Sequence, residues 1–213
     1  MDSTNSKTNT EWRSQIEDQK NFDTKSQFDY NKLFNHFEKV KADIEHINPY
    51  EFLAGTFEIM KGFMKLGSGI SMGFSDISTK VERWRQVIIK DMPDKDLNDL
   101  QAYMDKEISL NIHTLNGDNN SDLGHKKKSQ YHKYISGTRT LLRLNWFIHF
   151  ISTILKNMLN TTDGFSTCLK HAYTEVLAPH HSWLIKKSVG VAFSFATSKR
   201  GPALMAFFGK NIY

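Results

Sequence analysis

No stretch of this chain leaves fewer choices than Thr138 to Leu159, TRTLLRLNWFIHFISTILKNML, where apolar residues fill most positions and Arg139 and Arg143 stand four apart. It lacks the strict alternation of a half-buried strand, and its length suits a long helix near the middle of the protein. Residues four apart share a helix face, so both guanidinium groups leave the helix on the same side. Two permanent positive charges in apolar surroundings repel each other and need an anion. Two protein carboxylates can supply it. So can a phosphate or carboxylate from outside the chain, which a guanidinium grips bidentately.

The stretch is long enough to span a membrane, but Arg143, Asn145, His149, Lys156 and Asn157 interrupt it too often for that. The first residues, MDSTNSKTNTEW, lack the apolar run of a signal peptide and the glycine of a myristoylation site. A single cysteine, Cys168, excludes a disulfide framework within the chain. A cytoplasmic protein is therefore expected, and asparagine glycosylation patterns at Asn119 and Asn160 carry no weight. The net charge of +5 over 213 residues is too small and too scattered to indicate nucleic acid. Lys126-Lys127-Lys128 stands in a polar loop, either simply solvated or drawn to a membrane surface.

Helical spacing recurs along the rest of the chain. Residues 1 to about 26 are polar, mixed in charge and poor in apolar side chains, which predicts a disordered tail. Phe28 to Ile44 reads as a helix ended by Asn48-Pro49, and Tyr50 to Leu66 as a second. Gly67, Gly69 and Gly73 loosen the backbone before a third, from about Ser75 to Ile89. Asp91 to Asp94 forms a turn. Leu97, Leu100, Met104, Ile108, Ile112 and Leu115 predict one amphipathic helix, and Asn116 to Ser129 a loop. The arginine helix follows, then a shorter one over Phe165–Leu177, and Pro179 opens a last one through Trp183 to Phe195. No strand pattern and no internal repeat are found, which predicts an all-α fold with packed helical layers.

A second charged group sits on the third helix. Asp76, Lys80 and Arg83 fall within about 60° of one another on the helical wheel, apart from the apolar Ile77, Val81, Trp84 and Ile88. This stripe can be a solvated face with an ordinary i,i+4 pair, or part of a site. His180-His181 lacks the carboxylate or cysteine partners of a metal centre, so no metal or cofactor is expected.

Three segments, Phe74-Ser75-Asp76-Ile77-Ser78-Thr79-Lys80, Thr138-Arg139-Thr140-Leu141-Leu142-Arg143-Leu144 and His181-Ser182-Trp183, together resemble in motif, order and spacing the signature segments of the glycolipid transfer protein superfamily. The similarity runs from about Phe28 to Phe208, so residues 27–213 are expected to form one domain. The resemblance implies a two-layer helical sandwich around an apolar cavity for sphingolipid chains, with the polar head group at its mouth and no chemical turnover. The glycolipid branch carries an asparagine where Lys80 stands and a sugar-stacking tryptophan where Arg143 stands. Lys80 and Arg143 instead resemble the ceramide-1-phosphate transfer branch. A phosphomonoester with about −1.5 to −2 charges suits one lysine and two arginines, whereas a neutral sugar leaves them without a partner.

The resemblance assigns Asp76 to the sphingoid amide, His181 to the acyl amide oxygen, and Lys80, Arg139 and Arg143 to the phosphate. Trp183 would dock on the membrane interface. Phe147, Phe150, Ile151, Leu177 and Leu184 are candidate cavity residues, and Arg83 either reaches the head group or faces water. A monomer in transient contact with membranes is implied. Glycolipid transfer, or a helical interaction module that keeps the fold without moving lipid, are the alternatives, while no catalytic constellation supports an enzyme. Family members continue beyond the His-x-Trp segment into a final long helix. Here only Pro202 to Phe208 is apolar before Tyr213, so the expectation is either that this helix is missing or that the sequence is a shortened version.

Overall fold

A computed structural model describes residues 12–65, 68–87, 99–116, 131, 133–194, 199 and 201–204; for residues 68–76, 184, 192 and 194 it describes the backbone alone. The elements are α1 (residues 12–17), a short 3-10 turn at Gln19–Phe22, α2 (Tyr30–Ala42), α3 (Pro49–Met64), α4 (Ser68–Gln86), α5 (Leu100–Ser109), α6 (Gly137–Asn160), α7 (Phe165–Ala172) and α8 (Trp183–Ser194). The fold is the expected all-α helical sandwich. The described β contact is an isolated bridge between Asn116 and Ile135. No helix of the described residues is long and apolar enough to cross a membrane.

Local chemistry sets the helix starts. Asn48 accepts hydrogen bonds from the Tyr50 and Glu51 amides while Pro49 occupies the first turn, where its missing N–H costs nothing. Asp29, Asp99 and Ser136 cap α2, α5 and α6 in the same way. Packing does the rest. α3 is buried along nearly its whole length between α2 and α4, and α4 packs on α6 and α8. One continuous core runs through Phe57, Met60, Phe63, Trp84, Tyr103, Leu144, Ile154 and Phe165.

Four expectations are corrected. The polar tail is not a tail in its second half: Trp12, Ile16 and Phe22 are buried in the core. Arg85 holds this segment by donating from Nε and Nη2 to the Ile16 carbonyl at 2.9 and 2.7 Å. Its guanidinium also lies 4.5 Å from the Phe22 ring centroid. Sparse apolar residues suffice there because each is fully used. α4 begins at Ser68 rather than Ser75, its glycines being tolerated inside the helix. The helix expected through Leu115 stops at Ser109. Asn111 takes the left-handed conformation with φ 55° that ends helices, and Ile112 and Leu115 turn into a satellite cluster with Tyr134. Pro179 lies in a 3-10 turn, Ala178–His180, after a π-helical turn at Tyr173–Leu177, and α8 starts only at Trp183. Residues 1–11, all of the expected 116–129 loop except Asn116, the 91–94 turn and residues 205–213 lie outside the described residues.

Candidate functional site

α6 explains why its sequence is apolar almost all round. Thr140, Leu141, Leu144, Ile151, Ile154 and Met158 face the core. Arg139, Leu142, Arg143, Trp146, Phe147 and Phe150 form a second stripe, repeating at three and four residues, that lines a cavity of about 590 Å³. α4 contributes Ile77 and Lys80 to its wall, the 173–181 segment contributes Tyr173, Leu177, His180 and His181, and α8 contributes Ile185, Val189 and Phe193.

The structure thus brings Lys80, Arg139, Arg143, His181, Phe147, Phe150 and Leu177 to one cavity. Among the described residues, none of the lining side chains is acidic. Arg139 Nε is buried without a hydrogen-bond partner, a state that asks for an acceptor. The backbone cannot supply an anion site at the start of α6. The Gly137 and Thr138 amides already donate to Glu107, and the Arg139 amide donates to Ser136 Oγ. An anion here must be held by side chains, not by the helix N-terminus.

His181 is oriented from below. The Tyr173 hydroxyl lies 3.0 Å from His181 Nδ1. Burial pushes the Tyr173 phenol above its ordinary value, so the hydroxyl keeps its proton. Donation of that proton to Nδ1 would place the imidazole proton on Nε2, the tautomer that can donate to a carbonyl oxygen. His180 stacks on Trp146 with centroids 3.7 Å apart and planes 3° from parallel, bridging α6 and the 3-10 turn beside the cations. The two histidines thus meet different partners, His180 an indole ring and His181 a phenol.

The remaining candidates lie elsewhere. Ile151 is a core residue, 3% exposed, away from the described cavity wall. Trp183 is 68% exposed, with Lys187 Nζ 4.0 Å from its ring centroid. Arg83 is exposed. Asp76 and Leu184 lie outside the described side chains, though Asp76 precedes Lys80 by one turn of α4. Sequence reasoning missed Trp146, Tyr173 and His180. Trp146 was detectable, standing three residues after Arg143 on the same face. Tyr173 was not, because the π-helical turn breaks the spacing that links it to His181.

A sequence profile of the glycolipid transfer protein family matches residues 47–205. Ceramide-1-phosphate transfer protein of Mus musculus is 23% identical over 181 residues, covering 84% of this chain and 78% of that protein. Its counterpart in Danio rerio is 45% identical over 60 residues, a segment of 27% of this chain and 28% of that protein. The crystal structure of human ceramide-1-phosphate transfer protein in complex with 12:0 ceramide-1-phosphate superposes with a TM-score of 0.67. It shares 20% sequence identity, over 85% of this chain and 81% of that one. The matched residues include the helices that build the cavity, and the chain belongs to the glycolipid transfer protein family.

Proposed function

We propose that this protein binds a phosphorylated sphingolipid of the ceramide-1-phosphate type and carries or senses it between membranes, without chemical turnover. The observation that carries this reading is the meeting of Lys80, Arg139 and Arg143 on an otherwise mostly apolar cavity, with Arg139 Nε buried and lacking an acceptor. A phosphomonoester supplies the charge and the acceptor oxygens, and the arginine forks suit it bidentately. His181, held by Tyr173, donates from Nε2 to the acyl amide oxygen. Asp76, assigned from its place in the sequence motif, accepts from the amide N–H. Phe147, Phe150, Leu177, Val189 and Phe193 receive hydrocarbon, worth roughly 25 cal/mol per Å² of apolar surface removed from water.

The exposed Trp183 beside Lys187 suits a membrane interface, where an indole is at home and a cation meets anionic head groups. This supports a protein that touches membranes peripherally, and the family resemblance adds the reading of a cytoplasmic monomer. Transfer between fluorescent vesicles, comparing ceramide-1-phosphate with galactosylceramide, tests the reading. Faster transfer of ceramide-1-phosphate is expected. Faster transfer of the sugar lipid would overturn the phosphate assignment, and transfer of neither would favour an interaction module.

A further inference from the structure

Gly137, the first residue of α6, is held from three sides. Its amide donates to Glu107 Oε1 at 2.7 Å, and its carbonyl accepts from Trp84 Nε1 at 2.7 Å. A Cβ placed there would collide with the Tyr103 hydroxyl, so no larger residue fits. Glu107 itself is 0% exposed. It accepts from the Tyr103 and Tyr134 hydroxyls at 2.6 Å, from Ser136 Oγ at 2.7 Å and from the Thr138 amide at 2.8 Å. Gly137 of α6 is therefore tied both to Trp84 on α4 and to Glu107 on α5. Lys80 lies one helical turn before Trp84 on α4, and Arg139 lies two residues after Gly137 on α6.

We infer that Glu107 and Trp84 are positioning residues for head-group recognition. By gripping Gly137 from its two polar sides, they set the spacing between Lys80 on one helix and the Arg139–Arg143 pair on the other. This rests on the phosphate reading above. Neither side chain lines the cavity, so neither touches the lipid. Their effect passes through the rigid first turn of α6, where a bidentate phosphate contact tolerates little displacement. Lipid chains, gripped without direction, do not depend on that spacing.

The test uses the full chain, incubated with vesicles of a neutral carrier phospholipid holding equal ceramide-1-phosphate and ceramide of the same chains. Native mass spectrometry then reads the ratio of the two lipids bound. This ratio counts only folded, loaded protein, so a purely structural loss does not move it. Glu107→Gln and Trp84→Phe are expected to shift the ratio toward ceramide by about tenfold, the scale of one charge-assisted contact. Ile154→Ala, a core truncation remote from Gly137, is expected to leave it unchanged. If Glu107→Gln does not fold, Trp84→Phe, which removes the N–H and the pyrrole edge but keeps a buried aromatic ring, carries the test. Wild-type preference retained in the node variants overturns the inference and leaves the function standing. An equal shift in Ile154→Ala overturns it as well. A wild type without preference for the phosphorylated lipid overturns the function, and the inference with it.

Discussion

Two clusters of charge lie within a few residues of each other at the start of α6, and they are built in opposite ways. Glu107 is an anion with its partners drawn from its own chain: two phenols, a serine hydroxyl and two backbone amides. Lys80, Arg139 and Arg143 are cations gathered around a cavity, where Arg139 Nε has no acceptor. A polar group satisfied from within holds the fold together, and its loss is felt as instability. A group left wanting a partner marks a place where something else binds. The contrast, more than the number of charges, separates scaffold from site.

The largest effect should come from breaking the self-contained cluster. Glu107→Leu would take the shared acceptor from two phenols, a serine hydroxyl and two helix amides, and a loss of about 3–5 kcal/mol in urea unfolding is expected. That is a large share of the stability of an ordinary domain. A loss below about 1 kcal/mol would show the network to be dispensable. Next comes the open cluster. Arg143→Leu, at a half-buried position on the cavity wall, should cost less than about 1 kcal/mol in unfolding. It should remove roughly 1.5–3 kcal/mol of ceramide-1-phosphate binding, a tenfold to hundredfold drop in affinity. Equal losses of stability and affinity in this variant would erase the distinction drawn between the two clusters.

The open cluster was the more legible of the two in the sequence. Arg139 and Arg143 declare themselves by i,i+4 spacing inside an apolar run, and Lys80 by its place on α4. The motif order then joins helices that periodicity alone cannot pair. Glu107 gave no such sign, since a glutamate in an amphipathic helix ordinarily faces water. Its burial depends on Tyr134 and Ser136, which approach from a segment whose path the sequence does not encode as a periodic pattern. The same holds for residues 12–22. Three apolar side chains in a polar stretch look like a tail until Arg85 is seen gripping their backbone. Local spacing is readable wherever a helix repeats. Contacts made by single residues across long separations are not.

A smaller effect sharpens the description of the cavity itself. Tyr173→Phe keeps the ring and removes the hydroxyl that faces His181 Nδ1. Affinity should fall about twofold to tenfold, the worth of one hydrogen bond. Ceramide and ceramide-1-phosphate should lose equally, because His181 addresses the amide that both share. A loss confined to the phosphorylated lipid would place His181 among the phosphate ligands instead.

The smallest expected effect concerns a third charged pair, far from the cavity, that resembles Glu107 in being satisfied from within. Glu51 on α3 is buried, which alone would raise its carboxyl. Hydrogen bonds from His36 Nδ1 at 2.6 Å and Lys39 Nζ at 2.8 Å outweigh this and hold it below the ordinary value of 4.5. A group whose folded-state value is lowered binds its proton more readily when unfolded. Its stabilisation is therefore fully present above the ordinary value and is lost as pH falls through the lowered one. Compared with wild type, Glu51→Gln should be less stable at neutral pH by about 0.5–1 kcal/mol, as for a partly exposed pair. The gap should close in urea titrations carried below pH 4.5. Lipid selectivity should not change at any pH. A gap that stays constant into acid would mean that the carboxylate's charge contributes nothing there, and that α2 is held to α3 by packing such as the close approach of Phe37 to Gly55.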